Sequence, residues 1–122
     1  APMRLTQLVL EPMRALGGGA VVNISSSGGV GSQPYGSPEY GAAKAGLIRF
    51  TTSVAGLADS HAVRVTCLVP AWIGLPRAHE QRNRMSAAER TAAGPLIPPA
   101  DVAAAVLDLI DSGAGGAVRT LP

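Results

Sequence analysis

The stretch Ser37-Pro38-Glu39-Tyr40-Gly41-Ala42-Ala43-Lys44 decides how this chain is read. Ser37 can cap a helix, Pro38 suits its first position, and Glu39 complements the positive end of the helix dipole. A helix starting there sets the Tyr40 phenol and the Lys44 ammonium on one face, about one turn apart. Upstream, the apolar run Ala20-Val21-Val22-Asn23-Ile24 closes in the serines Ser25, Ser26 and Ser27. Downstream, Ala62–Val69 forms a second apolar run, closed by Pro70. The first run is short, β-branched and without polar alternation, which suits a strand buried on both faces, as in a parallel sheet, and the second reads as another strand.

Working outward, residues 2–16 read as a helix with Leu5, Val9, Met13 and Leu16 as its apolar stripe. Pro12 lies inside it and removes a donor, so a kink or an early end is expected. Gly17-Gly18-Gly19 stops it. Residues 26–37 are a Gly, Ser and Pro-rich loop. The helix that follows is expected to run from 38 to 58, with Ala43, Leu47, Phe50, Val54 and Leu57 inward. Asp59-Ser60-His61 is a turn. Residues 71–98 hold no sustained apolar period, apart from a capping box at Ser86-Ala87-Ala88-Glu89 that predicts a short helix near 87–93. An excursion of this kind after a strand end is where lids and substrate loops lie. Pro98-Pro99 opens a last helix with Val102, Val106, Leu109 and Ile110 inward, and 117–121 reads as a third strand. Alternating strands and helices specify an α/β fold with a parallel sheet. Three strands are few, since a doubly wound sheet has about six.

Composition narrows the function. The chain has 122 residues with 47% apolar and 15% charged, which suits one packed domain rather than a disordered segment. Net charge is +2. Its arginines are scattered and Lys44 is its only lysine, so no basic run points to nucleic acid. A single cysteine, Cys67, excludes an internal disulfide framework. His61 and His79 stand apart without companion ligands, so no metal site is expected. No apolar run reaches the ~20 residues needed to span a bilayer, and no signal pattern opens the chain, which makes a cytoplasmic location the expectation. The chain opens on Ala1-Pro2-Met3 without an initiator methionine and stops at Leu121-Pro122 on an apolar run, so both ends read as cut.

A free tyrosine holds its proton too tightly for easy exchange at neutral pH. An adjacent ammonium favours the phenolate, and a nearby serine hydroxyl can hold a carbonyl or alcohol oxygen. Such a trio is an acid–base device for interconverting an alcohol and a ketone.

Three segments in order, Val22-Asn23-Ile24-Ser25-Ser26, Tyr40-Gly41-Ala42-Ala43-Lys44 and Val65-Thr66-Cys67-Leu68-Val69-Pro70, closely resemble the short-chain dehydrogenase/reductase family. Its pattern is a strand ending N-[IV]-S-S, then Y-x-x-x-K on the next helix, then a strand ending Pro-Gly. The whole of 1–122 resembles the C-terminal half of such an enzyme. The resemblance implies the C-terminal portion of a doubly wound Rossmann-type fold, truncated, with the N-terminal dinucleotide-binding half absent. It implies Tyr40 as general acid/base and Lys44 as the group that lowers its pKa and holds the nicotinamide ribose. Ser26 would orient the substrate oxygen, with Ser27 the alternative: strand position matches Ser26, and the family's usual spacing to the tyrosine matches Ser27. Pro70 and the backbone of Ile73 would line the nicotinamide pocket.

Ala71 stands where the family has glycine after Pro70, and Leu75 where a threonine commonly meets the cofactor. The family's Gly-rich pyrophosphate turn is not in this chain, and its catalytic asparagine would fall just before Ala1. The implied cofactor is NAD or NADP, with no tight binding expected of these residues alone. The implied substrate is a small alcohol or carbonyl compound. The implied assembly is a homo-oligomer through helices 2–16 and 38–58. The competing expectation is a degenerate or truncated chain that keeps only helix-mediated association. A small non-enzymatic α/β binding module is a third, which the Ser–Tyr–Lys set disfavours.

Overall fold

The computed structural model describes residues 1–122 throughout. Three parallel strands make one sheet in the order β1 (Gly19–Ile24), β2 (Val63–Pro70), β3 (Val118–Leu121). Six α-helices connect or flank them: α1 Pro2–Ala15, α2 Pro38–Ser53, α3 Leu57–His61, α4 Pro76–Asn83, α5 Ala87–Ala93 and α6 Pro99–Ser112. A short 3₁₀ turn covers Ser27–Gly29. The α/β alternation and the parallel sheet are those read from the sequence.

The central strand carries the core. β2 has a strand on each side and helices on both faces, so Val63 and Val65–Pro70 are all buried. Alternation sends Leu68 to the face covered by α6, where Ala105 and Leu109 meet it, flanked by Val22, Val102, Val106 and Leu121. Arg64, two positions before Thr66 on that face, donates to the carbonyls of Leu109, Ile110 and Gly113. These carbonyls lie at the C-terminus of α6, where orphan acceptors occur; the Leu109 carbonyl also accepts from Gly113 N–H at 3.0 Å. Cys67 points to the opposite face and has no exposed surface. Burial pushes its thiol pKa up, which leaves it an inert core residue.

Several elements differ from the sequence expectation. α1 continues past Pro12 to Ala15. Pro12 and Leu8 are both exposed, so water can take the carbonyl that the missing N–H leaves free. Its inward face is Thr6 with Val9, Leu10 and Met13 half-buried, while Leu5 and Leu16 are exposed. The helix expected over 38–58 ends at Ser53, and residues 57–61, read partly as a turn, form the separate α3. Leu47 and Thr51 are its buried residues, and Ala43 is exposed. In α6, Leu109, Val102 and Val106 face the core as expected, Ala105 joins them, and Ile110 is 41% exposed. β1, expected to be buried on both faces, is mostly half-buried, because it pairs only with β2 and its other edge is unpaired.

α5 starts at the predicted capping box: the Ser86 side chain accepts from Glu89 N–H while Glu89 accepts from Ser86 N–H. α4 had no apolar period to announce it, since Ala78 is its single buried residue. The excursion that holds both helices is pinned at its base. Gly74 N–H donates to Ile97 and Ile97 N–H donates to Trp72, each at 2.8 Å. Residues 75–96 therefore form a flap over the C-terminal ends of β1 and β2.

Leu109→Ala, which empties a site with 1% exposure, should lower unfolding free energy, by about 2–5 kcal/mol for a cavity of this kind. Leu107→Ala, at a residue 60% exposed on the same helix, should cost no more than about 0.5 kcal/mol. Urea denaturation of the two variants checks the difference.

Candidate active site

The end of β1 is joined to α2 by hydrogen bonds at three successive residues, Asn23, Ile24 and Ser25. Asn23 Nδ2 donates to Thr51 Oγ1 at 3.1 Å, and Thr51 Oγ1 donates in turn to the Leu47 carbonyl at 3.0 Å. The Ile24 carbonyl accepts from Lys44 Nζ at 2.9 Å. Ser25 Oγ donates to the Lys44 carbonyl at 2.7 Å. Lys44 is thus held at its backbone by one strand residue and at its ammonium by the residue before. Asn23 and Thr51 are both buried, so their bond is made out of water's reach.

Glycines let the serine loop sit against this helix. A Cβ on Gly29 would lie 2.6 Å from the Lys44 carbonyl carbon and the Ala45 nitrogen, too close for any side chain. A Cβ on Gly28 would strike the Tyr35 ring at 2.7 Å. Tyr35 then stacks on Tyr40, with ring centroids 5.6 Å apart and planes inclined by 23°. Lys44 Nζ lies 5.5 Å from the Tyr40 ring centroid, within range of a cation–π attraction. Tyr40 is 39% exposed.

Ser26 follows the last ladder bond of β1, in which Ser25 N–H donates to Leu68 at 2.8 Å. It is extended and half-buried, and its Oγ accepts from Gly28 N–H at 3.2 Å. That bond leaves the Ser26 hydroxyl hydrogen free to donate. Ser27 is exposed and begins the 3₁₀ turn. A cavity of about 640 Å³ lies at the strand ends, and Ser26, Tyr40, Lys44, Pro70 and Ile73 all border it. Ser27 borders it too. Ligand crevices of open α/β sheets lie outside the carboxyl ends of the strands, as this one does.

Sequence reading missed four members of this arrangement. Tyr35, in a loop without periodicity, had only its aromatic character to mark it. Thr51 was passed over because a threonine breaks the apolar stripe of α2, yet it is fully buried as the partner of Asn23. Arg77 and Gln81 of α4 border the cavity, and nothing in the sequence signalled that helix.

Residues 1–86 match the family described as short chain dehydrogenase. The chain belongs to the short-chain dehydrogenase/reductase family of oxidoreductases. It is 42% identical over 65 residues to the 3-oxoacyl-[acyl-carrier-protein] reductase of Chlamydia muridarum, covering 53% of this chain and 26% of that protein. It is 32% identical over 108 residues to the acetoacetyl-CoA reductase of an Acinetobacter species, covering 87% and 43%. Among solved structures, a protein assigned as a short-chain dehydrogenase/reductase from Burkholderia xenovorans superposes with a TM-score of 0.80 at 28% identity, covering 95% of this chain and 48% of that one. ElxO with NADP bound superposes at 0.81 with 24% identity, covering 98% and 51%. The chain therefore spans about half the length of the solved relatives and less of the curated ones.

Thr51→Val keeps the shape but leaves the Asn23 amide buried without its acceptor. We expect a loss of about 1–3 kcal/mol in unfolding free energy, measured by urea denaturation. Thr52→Val, at an exposed residue one position on, is the control and should change little.

Proposed function

We propose that this chain is the catalytic half of an NAD(P)-dependent oxidoreductase that interconverts an alcohol and a carbonyl compound, with the dinucleotide-binding half outside residues 1–122. The observation that carries the reading is the convergence of Ser26, Tyr40 and Lys44 on one cavity at the strand ends, together with Pro70 and Ile73. In this reading Tyr40 gives a proton to the carbonyl oxygen during reduction and takes it back during oxidation. Lys44, fixed by the Ile24 carbonyl, presents positive charge beside the phenol and keeps ammonium hydrogens for the nicotinamide ribose. Ser26 uses its free hydroxyl hydrogen to hold the substrate oxygen in reach of Tyr40.

NAD(P), when bound, supplies or accepts the hydride. The residues present fit its nicotinamide end, where Tyr40, Lys44, Pro70 and Ile73 gather. They do not fit its pyrophosphate end. The only Gly-rich loop near the cavity is 28–31, and Gly28 and Gly29 are consumed in packing against Tyr35 and Lys44. Its turn is not the N-terminus of a helix long enough to hold phosphate. The cofactor therefore needs residues beyond this chain. A homo-oligomer through α1 and α2 belongs to the same reading, supported by Met3, Leu5, Leu8 and Leu16, all exposed apolar residues on or next to α1.

Tyr40→Phe in the protein at its natural length should abolish alcohol oxidation and carbonyl reduction while leaving circular dichroism and melting temperature unchanged. Turnover retained in that variant would remove Tyr40 from the acid/base role. For residues 1–122 alone we expect no NAD(P)H binding detectable by calorimetry, and micromolar affinity would show that the pyrophosphate half is dispensable.

A further inference from the structure

The cavity is bordered by two cations, Lys44 and Arg77, and by no carboxylate. Lys44 is engaged with the Ile24 carbonyl. Arg77, like Arg49, Arg82 and Arg84, has no hydrogen-bond or ion-pair partner in the protein, and of these four it is the one that borders the cavity. It stands on the first turn of α4, on the flap, with Gln81 one turn further along the same face. Ser26 and Tyr40 come from a different wall, and the surfaces around them include the apolar side chains of Trp72, Ile73 and Met85. Residues 75–94 carry Arg77, Arg82, Arg84 and Arg90 against only Glu80 and Glu89, so the flap adds positive potential to that of the cavity.

We propose that Arg77 is a specificity-determining residue that selects substrates bearing a carboxylate at the end remote from the reacting carbonyl. The inference rests on the oxidoreductase reading above. A guanidinium presents parallel N–H groups that match the two oxygens of a carboxylate. An uncharged ketone with the same carbon skeleton fills the apolar part of the cavity equally well but gains nothing from Arg77. The flap is pinned only at Gly74 and Ile97. A substrate anion held by Arg77 would therefore tie the flap to the strand ends while the other end of the substrate meets Ser26 and Tyr40. The cofactor's own phosphates are the rival source of an anion, and the experiment separates the two.

The test is calorimetry at low salt on the protein at its natural length, using 5-oxohexanoate and its methyl ester as probes and NADP⁺ as a third ligand. The acid should bind about tenfold more tightly than the ester. Arg77→Gln should erase that preference and leave NADP⁺ affinity unchanged. Arg77→Lys, which keeps the charge but not the fork, should restore part of it. Equal affinity of the two probes, absence of binding by both, or a preference that survives Arg77→Gln would overturn the assignment. So would a variant whose loss falls on NADP⁺ instead. Arg77 is exposed, so Arg77→Gln should melt at the wild-type temperature. Because binding is read without turnover, this test fails separately from the Tyr40→Phe test of the chemistry.

Discussion

The arrangement of the site depends on one reciprocal contact, in which Lys44 Nζ donates to the Ile24 carbonyl and Ser25 Oγ donates to the Lys44 carbonyl. A long, flexible ammonium side chain loses much rotamer freedom when it is held in place. Here the strand end supplies an acceptor for the head and a donor for the backbone, so both ends of Lys44 are located by the last residue of β1 and the residue after it. Each bond contributes only about 0.5–1.5 kcal/mol to stability. Their larger effect is positional. They set the first two turns of α2 against the strand end, and with them the Tyr40 ring one turn earlier.

That contact has requirements elsewhere. The serine loop must pass close to α2, which is possible because Gly28 and Gly29 have no side chains to collide with Tyr35 and Lys44. The helix must lie flat on the sheet face, which Asn23 and Thr51 secure from within. β2 must be in register with β1, so that Ser25 N–H meets Leu68 and the two strands end together at the cavity. α6 and Arg64 hold the other face of β2. A cluster of polar groups at the surface thus rests on a buried polar bridge and an aliphatic core on opposite sides of one strand.

Two surfaces of the chain have no covering partner within it. β1 has one edge unpaired, and the exposed apolar residues of α1 have no covering partner within the chain. Both features are what a sheet and a helix layer show when neighbouring elements are outside the residues described.

The sequence by itself determined the alternation of strands and helices, the parallel sheet, the capping box of α5 and the meeting of Tyr40 and Lys44 on one helix face. These are local properties, set by periodicity, by turn residues and by one helical repeat. It also marked Ser26, Pro70 and Ile73, through motifs whose order along the chain reflects the order of elements. Only the tertiary structure decided that Thr51 is a core partner of Asn23, since a hydroxyl reads as a break in an apolar stripe until its acceptor and donor are in place. It alone located Tyr35, which acquires its position from Gly28 and the Tyr40 ring rather than from any repeat. It revealed α4, whose polar sequence has no period because the flap buries almost nothing, and with it the unpartnered Arg77 at the cavity. It also added Thr6 and Leu10 to the inner face of α1 and Ala105 to that of α6, and left Leu5, Leu16 and Ile110 exposed, because burial depends on what covers a helix and not on its apolar stripe alone.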